Sequence, residues 1–256
     1  MTYIILLVYR KEPFSSFHIN RRKGGVFCMY HMENKIYALF KQHGERIKTE
    51  KDSKLFLEGK RAEAIFYIES GSIQINQVTE SGKELTMRIC GPASIIGECS
   101  LFCHLSYNSM SAKVLEPSTL LVLSRKLMEQ LLTEQPLMMV EYLKWLQIEN
   151  FKHQSRLRDL VVNGKKGALF STLIRLANTY GKLLDDGAIL MDVPFTNGEI
   201  ANLCGTSREM INRMLNDLKK QHILSFDKGY ITIHDLNFLK DEIACENCPL
   251  QICRID

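Results

Sequence analysis

The period of the apolar residues changes once along this chain, and the change predicts a β-rich first half followed by a helical second half. From residue 55 to residue 123, short apolar or alternating runs are separated by glycine and polar turns. The runs and turns are 65–68, 70–71, 72–75, 80–83 and 85–89. Alternation with period two predicts strands, and many short strands at close spacing predict a compact β-roll or sandwich. We therefore assign residues 35–135 to a β-roll domain.

A seam with coiled-coil spacing begins just after Pro136. Its members recur at alternating steps of four and three residues, and they are Met139, Leu143, Leu146, Asn150, His153, Leu157 and Leu160. The spacing predicts a dimerisation helix over residues 136–164, which Asn163-Gly164 would end. Polar residues at Asn150 and His153 favour self-pairing, because a polar seam position can fix register and partner number. The alternative is that the seam packs on the β-roll of the same chain.

Composition places the chain among ordinary soluble globular proteins. It has 256 residues, 45% hydrophobic and 24% charged, with a formal net charge of +4. This length suits two domains, and the mild basic excess is compatible with nucleic acid without arguing for it. The longest apolar run, Tyr3 to Tyr9, is too short for a bilayer and has no signal-peptide flanks. We therefore expect a cytoplasmic protein with reduced thiols and no membrane partner, and we assign residues 1–34 to a frayed N-terminal extension.

Two short helices joined by a glycine turn are predicted near the C-terminus. Thr196 and Glu199 have the spacing of a capping box at the start of the first helix. Gly205 lies in the turn, and Ser207 caps a second helix over residues 208–220. This arrangement predicts a helix-turn-helix.

A hairpin over residues 225–233 follows and forms the wing, so residues 165–240 are assigned to a winged helix-turn-helix domain. The side chains predicted to read DNA lie near the start of the second helix, and they are Arg208, Glu209, Asn212 and Arg213. Arginine can pair with guanine and glutamate with the amino group of cytosine. The lysines predicted to contact phosphates are Lys165, Lys166, Lys219 and Lys220. The alternative for this face is an ordinary solvated amphipathic helix.

The C-terminal tail, residues 241–256, contains three closely spaced cysteines. Cys245, Cys248 and Cys253 form a C-x2-C-x4-C pattern, whose first pair can converge on one metal centre. Three thiolates leave a four-ligand centre one ligand short, and spacing alone does not choose an iron–sulfur cluster over zinc. The same pattern also fits a reduced tail without a ligand and a redox disulfide. The remaining cysteines are expected to be small buried thiols, with Cys99-x3-Cys103 as a competing site, and they are Cys28, Cys90, Cys99, Cys103 and Cys204.

Three motifs together resemble those of the Crp-Fnr family of transcription regulators. They are Phe66-Tyr67-Ile68-x2-Gly71-x-Ile73, Ile96-Gly97-Glu98 and Ser207-Arg208-Glu209-x2-Asn212-Arg213. The resemblance implies an α+β fold with an N-terminal cyclic-nucleotide-binding-like β-roll, a long dimerisation helix and a C-terminal winged helix-turn-helix. It also implies a homodimer that binds double-stranded DNA and RNA polymerase. No Ser-His-Asp set, paired-carboxylate motif or phosphate loop indicates an enzyme.

The cysteine tail is similar to that of the Fnr-type anaerobic regulators of bacilli. This resemblance implies a [4Fe-4S] cluster on Cys245, Cys248 and Cys253, with Asp159 as the fourth ligand. It therefore implies an oxygen- or redox-responsive regulator of anaerobic metabolism. Without the resemblance, Asp159 would be a helix carboxylate paired with Arg156, three residues away. The alternative function is a zinc- or thiol-switch regulator of the same fold.

Two further expectations follow from the resemblance. Cyclic-nucleotide binders of the family place an arginine shortly after the Gly-Glu turn, but residues 105–109 contain none. A buried phosphate without that bidentate partner would bind poorly, so no cyclic nucleotide is expected. The set Arg208, Glu209 and Arg213 resembles that of relatives reading TGTGA half-sites, which implies a TGTGA-N6-TCACA-like palindrome.

Overall fold

The computed structural model describes residues 31–98, 101–104 and 107–256, with side chains from residue 35 onward. Most of the predicted N-terminal extension, and with it Cys28, lies outside these residues, as does Cys99. Within the described ranges, no helix is both long enough and apolar enough to cross a membrane.

The first half of the chain is the predicted β-roll, built from two four-stranded antiparallel sheets. The strands are β1 Glu45–Thr49, β2 Lys54–Phe56, β3 Ala64–Ser70, β4 Ile73–Val78, β5 Glu84–Cys90, β6 Ile95–Ile96, β7 Ser111–Val114 and β8 Ser118–Ser124. One sheet has the order β1-β8-β3-β6 and the other β2-β7-β4-β5. Two helices flank them, α1 His31–His43 and α2 Arg125–Glu134. Helix α1 crosses the position where the extension was expected to end, and its Ile36, Leu39 and Phe40 are buried in the β-roll core.

Two turns of the β-roll require glycine, which explains why both lie in motifs found in the sequence. Gly71 has φ +94°, and a Cβ there would lie 2.0 Å from Ser118 Oγ. Gly97 has φ +86°, and its Cβ would lie 2.7 Å from the Ala64 carbonyl oxygen. Side chains other than hydrogen are excluded at both positions by sterics and by the positive φ.

The long helix α3, Pro136–Tyr180, begins at the predicted proline. It is interrupted at Gly164, whose φ of 57° and ψ of −147° are not helical, so the predicted end of the dimerisation helix is confirmed as a break. The seam divides into two parts. Met139 and Leu146 pack on the core of the β-roll, as the intrachain alternative expects. The other apolar members are exposed, and they are Leu143, Leu157 and Leu160.

The last part of the chain is the predicted winged helix-turn-helix. Its elements are β9 Gly181–Leu183, β10 Ile189–Met191, α4 Asn197–Leu203, α5 Arg208–Lys220, β11 Leu224–Asp227, β12 Tyr230–Ile233 and α6 Leu236–Glu242. The strands form one sheet with the order β11-β12-β10-β9. Helices α4 and α5 and the β11–β12 hairpin are confirmed, whereas β9, β10 and α6 were not predicted.

The two domains touch through the β4–β5 hairpin. Lys83 Nζ donates to the carbonyl oxygen of Gly205, in the turn of the helix-turn-helix, at 2.7 Å. Ile89 of β5 is buried in the same apolar cluster as Leu169 of α3 and Cys253 of the tail. The β-roll, the long helix, the DNA-binding domain and the tail therefore share one packed junction.

Candidate DNA-binding surface and cysteine tail

Helix α5 is positioned by its own cap and by a buried apolar face. The side chain of Ser207 accepts a hydrogen bond from Met210 N, and Thr196 and Glu199 form the predicted capping box at the start of α4. The inward face of α5 consists of Ile211, Leu215 and Leu218, all buried. The start of each of the two helices is thus fixed by the residues that the sequence indicated, and the opposite face of α5 is available to a ligand.

The predicted base-reading residues are not equivalent in the structure. Arg208, Glu209 and Arg213 are exposed at the start of α5. The pKa of Glu209 is lowered by hydrogen bonds from its own backbone N–H and from Ser207, so this carboxylate is ionised at neutral pH. Asn212 is half-buried, and its Oδ1 accepts a hydrogen bond from Asn197 Nδ2. Asn212 therefore ties α5 to α4 in this structure, whereas the other three project outward.

The four predicted phosphate-contacting lysines are all exposed. Lys166 is also engaged within the protein, because it forms an ion pair with Glu242 and its Nζ lies 5.4 Å from the centre of the Phe170 ring. Lys219 and Lys220 lie in the last turn of α5. Lys219 and Lys220 therefore place positive charge at the end of the recognition helix, which suits contact with a phosphate backbone.

The cysteine tail is docked on the second part of α3 by hydrogen bonds to its main chain. Arg175 Nη1 donates to the Ile252 carbonyl at 2.8 Å, and Asn178 Nδ2 donates to the Cys253 carbonyl at 2.8 Å. Ile255 N donates to Thr179 Oγ1 at 3.0 Å. The first part of α3 contributes Arg156, whose Nη2 donates to the Ile255 carbonyl at 2.7 Å. The tail therefore bridges the two sides of the break at Gly164.

Asp159 is buried and surrounded by donors. Its Oδ1 accepts from Arg158 Nη2 at 2.6 Å, and its Oδ2 accepts from Ser171 Oγ at 2.6 Å and from Arg175 Nη2 at 3.4 Å. The alternative interpretation, in which Asp159 pairs with Arg156, is not what the structure shows, because Asp159 pairs with Arg158 and Arg175. The guanidinium of Arg156 instead donates to main-chain carbonyls of Met87 and of the tail, because that side of α3 faces β5 and residues 254–255.

The tail cysteines and Asp159 lie in one neighbourhood without forming a finished coordination site. Ser155 Oγ is 3.8 Å from Cys248 Sγ, and it accepts a hydrogen bond from Arg175 Nη2 at 2.7 Å. Arg158, next to Asp159, also forms an ion pair with Glu246 between two of the cysteines. Among the described residues, no group of three or more His, Cys, Asp and Glu side chains is arranged to hold a metal ion.

Burial sets the chemistry of the tail thiols. Cys253 is buried, and Cys245 and Cys248 are half-buried against the same apolar cluster. Burial raises the pKa of the Cys253 thiol, and the neighbouring Cys248 and Cys245 raise it further, while Arg175 opposes the shift. Cys245 and Cys248 therefore lie close enough to Cys253 to affect the ionisation of its thiol. Cys253 is a neutral thiol in this state, and binding a metal would require its proton to leave.

The remaining cysteines divide by exposure. Cys90 and Cys204 are buried, as predicted, and burial raises the pKa of Cys204 to about 12. Cys103 is exposed, so the expectation of a buried thiol there is wrong. It lies in the turn of residues 101–104, where Arg125 Nη2 holds its carbonyl oxygen and the side chain does not enter the core.

Arg175 is the most important residue that the sequence did not single out. Its side chain is 2% exposed and contacts Ser155, Asp159, Ser171 and the Ile252 carbonyl. An arginine inside the apolar second part of α3 was the available indication, since a charge that is rarely buried unpaired requires partners. Those partners come from segments up to 77 residues away in the chain, which a helical pattern cannot identify.

Comparison with known proteins matches both domains and most of the chain. A family described as "Cyclic nucleotide-binding domain" matches residues 46–135, and a family described as "Crp-like helix-turn-helix domain" matches residues 168–242. The chain is 44% identical over 222 residues to the "Anaerobic regulatory protein" of Bacillus subtilis (strain 168), covering 86% of this chain and 93% of that protein. It is 27% identical over 186 residues to the "Global nitrogen regulator" of Nostoc sp., covering 72% and 83%.

Solved structures share the fold at low sequence identity. The c-di-GMP-responsive global regulator CLP of Xanthomonas campestris superposes with a TM-score of 0.69 at 19% identity, covering 79% of this chain and 99% of that one. A CooA mutant from Carboxydothermus hydrogenoformans gives a TM-score of 0.67 at 22% identity, covering 80% and 90%. These two likenesses concern architecture alone.

Proposed function

Because the chain belongs to the Crp-Fnr family and is a DNA-binding transcription regulator of that type, we propose that it responds to oxygen or redox state in anaerobic metabolism. Members of the family are regulators without enzymatic activity, and they are typically dimers. The proposal places the protein in the cytoplasm, with RNA polymerase as its partner at promoters. Support for the anaerobic role comes from the 44% identity to a protein called an anaerobic regulatory protein.

We propose that two copies pair through the exposed part of the α3 seam. Leu143, Leu157 and Leu160 leave a line of apolar surface in water along one side of this helix. A second copy would cover that surface and set two α5 helices about one DNA turn apart. Arg208, Glu209 and Arg213 project from the start of α5, which supports a TGTGA-N6-TCACA-like palindrome as the target.

The observation that carries the redox proposal is the docking of the cysteine tail across the break in α3. Arg156 lies before Gly164 and Arg175 after it, and both hold carbonyl groups of residues 252–255. Any chemistry that moves the tail would therefore change how the DNA-binding domain is held on the dimerisation helix.

The residues present suit a [4Fe-4S] cluster in their chemistry. Cys245, Cys248 and Cys253 would supply thiolates and Asp159 a carboxylate, and the cluster would supply an oxygen-labile tie between tail and helix. The protein's own part is to gather these donors. Arg175 orients Ser155 beside Cys248, and Arg158, Ser171 and Arg175 hold the carboxylate of Asp159. For Asp159 to become a ligand, one of its carboxylate oxygens must give up a hydrogen bond that it now accepts.

Metal analysis of anaerobically purified protein tests the proposal. We expect comparable iron and sulfide with little zinc, and we expect Asp159→Ala to lose visible cluster absorbance and oxygen-sensitive DNA binding together. Asp159→Asn is the matched variant, since it keeps hydrogen bonding near Arg158 but supplies no carboxylate. Stoichiometric zinc without sulfide would establish the zinc alternative. An Asp159→Ala protein with intact absorbance and intact oxygen sensitivity would remove Asp159 from the ligand set.

A further inference from the structure

A buried guanidinium crosses from the β-roll to the long helix. Arg88 lies on β5, and its side chain is 7% exposed. Its Nη1 donates to Glu98 Oε1 at 3.0 Å and to Glu149 Oε2 at 2.9 Å, and its Nη2 donates to the Ile95 carbonyl at 2.9 Å. Glu98 belongs to the Gly-Glu turn of the β-roll, whereas Glu149 belongs to α3. A single side chain thus joins the two elements from within.

Arg88 stands at the polar end of a cleft between the β-roll and α3. The free volume in the cleft is about 60 Å³, and its walls include Phe56, Ile75, Met87, Met110, Glu98 and His153. The domain around it matches the cyclic nucleotide-binding family, yet in this chain the cation inside the cleft is already neutralised by two carboxylates of the protein. The guanidinium and the carboxylate of Glu98, two charged groups in the cleft that could receive a bound effector, are therefore engaged with each other.

The two carboxylates differ in their surroundings. Burial raises the pKa of Glu98 in spite of the charge on Arg88. Burial also raises the pKa of Glu149, but the charges of Arg88 and Lys152 lower it by more, so the pKa of Glu149 is below its usual value. Glu149 is thus the carboxylate whose charged form is the more favoured, and it is the one that lies on α3.

Lys152 links Glu149, the α3 partner of Arg88, to the tail. Lys152 Nζ donates to Glu149 Oε1 at 2.8 Å and to the main-chain oxygen of Asp256 at 2.6 Å. Arg156, one turn further along α3, donates to the carbonyl of Met87, the neighbour of Arg88 on β5. Strand β5, helix α3 and the tail therefore meet in one polar contact, and α3 continues from it into the DNA-binding domain.

We propose that Arg88 is a positioning residue that takes the place of a bound effector, fixing the β-roll on the long helix and so the orientation of the DNA-binding domain. The inference uses the DNA binding of the family and does not depend on the cluster. A regulator of this kind needs no ligand in the β-roll, because its own guanidinium makes the bridge that a ligand would make. Coupling between the β-roll and DNA affinity then passes through the pair Arg88–Glu149.

Glutamine variants of the two carboxylates separate this role from a purely local one. Glu98→Gln and Glu149→Gln each remove one charged partner of the same guanidinium, and both side chains are 10% exposed, but only Glu149 lies on α3. Affinity is measured by fluorescence anisotropy on a duplex that the wild-type protein selects from a random pool, with anaerobically prepared dimer. We expect Glu149→Gln to bind about 10-fold more weakly and Glu98→Gln to stay within about 2-fold of wild type.

Lys152→Gln controls for the second partner of Glu149 and is expected to weaken binding less than Glu149→Gln, since the pair Arg88–Glu149 remains. Equal effects of the two glutamate variants would overturn the proposal, as would unchanged affinity of Glu149→Gln. A loss in Lys152→Gln as large as that in Glu149→Gln would also overturn it, since the coupling would then run through the lysine.

Chemical rescue provides a second measurement with a different readout. Arg88→Ala leaves a cavity of guanidinium shape between two carboxylates, so millimolar methylguanidinium is expected to restore DNA affinity in this variant and to leave wild type unchanged. Thermal unfolding is followed in parallel. Rescue of the thermal midpoint without rescue of DNA affinity would show a merely structural role and would overturn the proposal. Because Arg88→Ala leaves two buried carboxylates and can fail to fold, the glutamine variants decide the question without it.

Discussion

At the residue scale, the outward face of α5 is the clearest functional feature. Arg208 is exposed at the first position of the helix, where a recognition helix meets base edges. We predict that Arg208→Ala weakens binding to the preferred operator by about 1–3 kcal/mol and relaxes preference at one base pair. Anisotropy titrations on the operator and on duplexes with single base-pair changes measure both effects.

Lys219→Ala is the matched control for a phosphate contact. Lys219 lies in the last turn of α5, where we expect it to contact phosphates and not bases, so its loss of affinity should be uniform across sequences. If Arg208→Ala lost the same free energy on operator and on random DNA, its assignment to base reading would be contradicted.

Thiol reactivity provides a second test at this scale. Cys103 is exposed, whereas Cys204 is buried and its pKa is raised to about 12 by burial. Because the thiolate is the reacting species, we predict fast maleimide labelling of Cys103 and no labelling of native Cys204 from pH 7 to pH 9. Mass spectrometry of timed digests identifies the labelled residue. Labelling of Cys204 at the rate of Cys103 would show that the core around α4 is open.

The residues around the tail show what the sequence could not provide. The C-x2-C-x4-C pattern is visible because its members are neighbours in the chain. Arg175 and Arg156 act on the tail only because folding brings α3 against residues 252–255, across separations of 77 residues or more. Asn212, which stays a predicted DNA contact, also accepts a hydrogen bond from Asn197 of the preceding helix, a partner that the sequence pattern did not indicate.

At the element scale, most helices and strands follow from local rules. The capping box at Thr196, the cap at Ser207 and the hairpin turn at Lys228-Gly229 appear where the sequence indicated them. The short strands β9 and β10 carry no clear alternation, since their stability comes from pairing with each other and with β12. Helix α1 was overlooked because its apolar face matters only against the β-roll core.

The break at Gly164 permits a direct test of an element. Its φ of 57° with ψ of −147° is a conformation that nearly only glycine adopts, and a Cβ there would meet no neighbouring atom. We therefore predict that Gly164→Ala destabilises the protein by about 1–3 kcal/mol through backbone strain alone. Denaturant unfolding measures this difference.

Gly91→Ala is the control for the loss of glycine flexibility. Gly91 lies in a turn without positive φ, and a Cβ there would also meet open space. Its effect is expected to remain within about 1 kcal/mol. Equal stability of the Gly164→Ala variant and wild type would mean that the long helix can run straight through residue 164.

At the scale of the whole molecule, the exposed seam of α3 predicts the dimer interface. Leu157 and Leu160 are exposed in the single chain and lie on the seam at the coiled-coil spacing. We predict that Leu157→Lys with Leu160→Lys gives a folded monomer, because the lysines of the two copies would be buried against each other. Analytical ultracentrifugation measures the mass, and circular dichroism checks the fold.

Leu137→Lys is the matched control, since Leu137 is exposed on the same helix but does not belong to the seam. This variant should remain a dimer. A dimeric Leu157→Lys, Leu160→Lys protein would place the interface elsewhere.

The domain order and the family could be predicted from the sequence, because each domain has its own period and motifs. How the parts are joined could not be predicted. Side-chain contacts between distant segments join the parts, and none of these contacts belongs to a repeating pattern. They are Lys83 with Gly205, Arg88 with Glu149 and Arg175 with the tail. These joints are where the proposed signal must pass from tail to recognition helix.

The central claim is that oxidation acts on the cysteine tail to weaken the hold on DNA. The most direct measurement is the operator affinity of one anaerobic preparation before and after exposure to air, beside a Cys253→Ser variant treated identically. We predict that exposure to air weakens wild-type binding by about 10-fold or more. The Cys253→Ser variant should bind DNA with the same low affinity before and after exposure. Equal wild-type affinity with and without air would contradict the account.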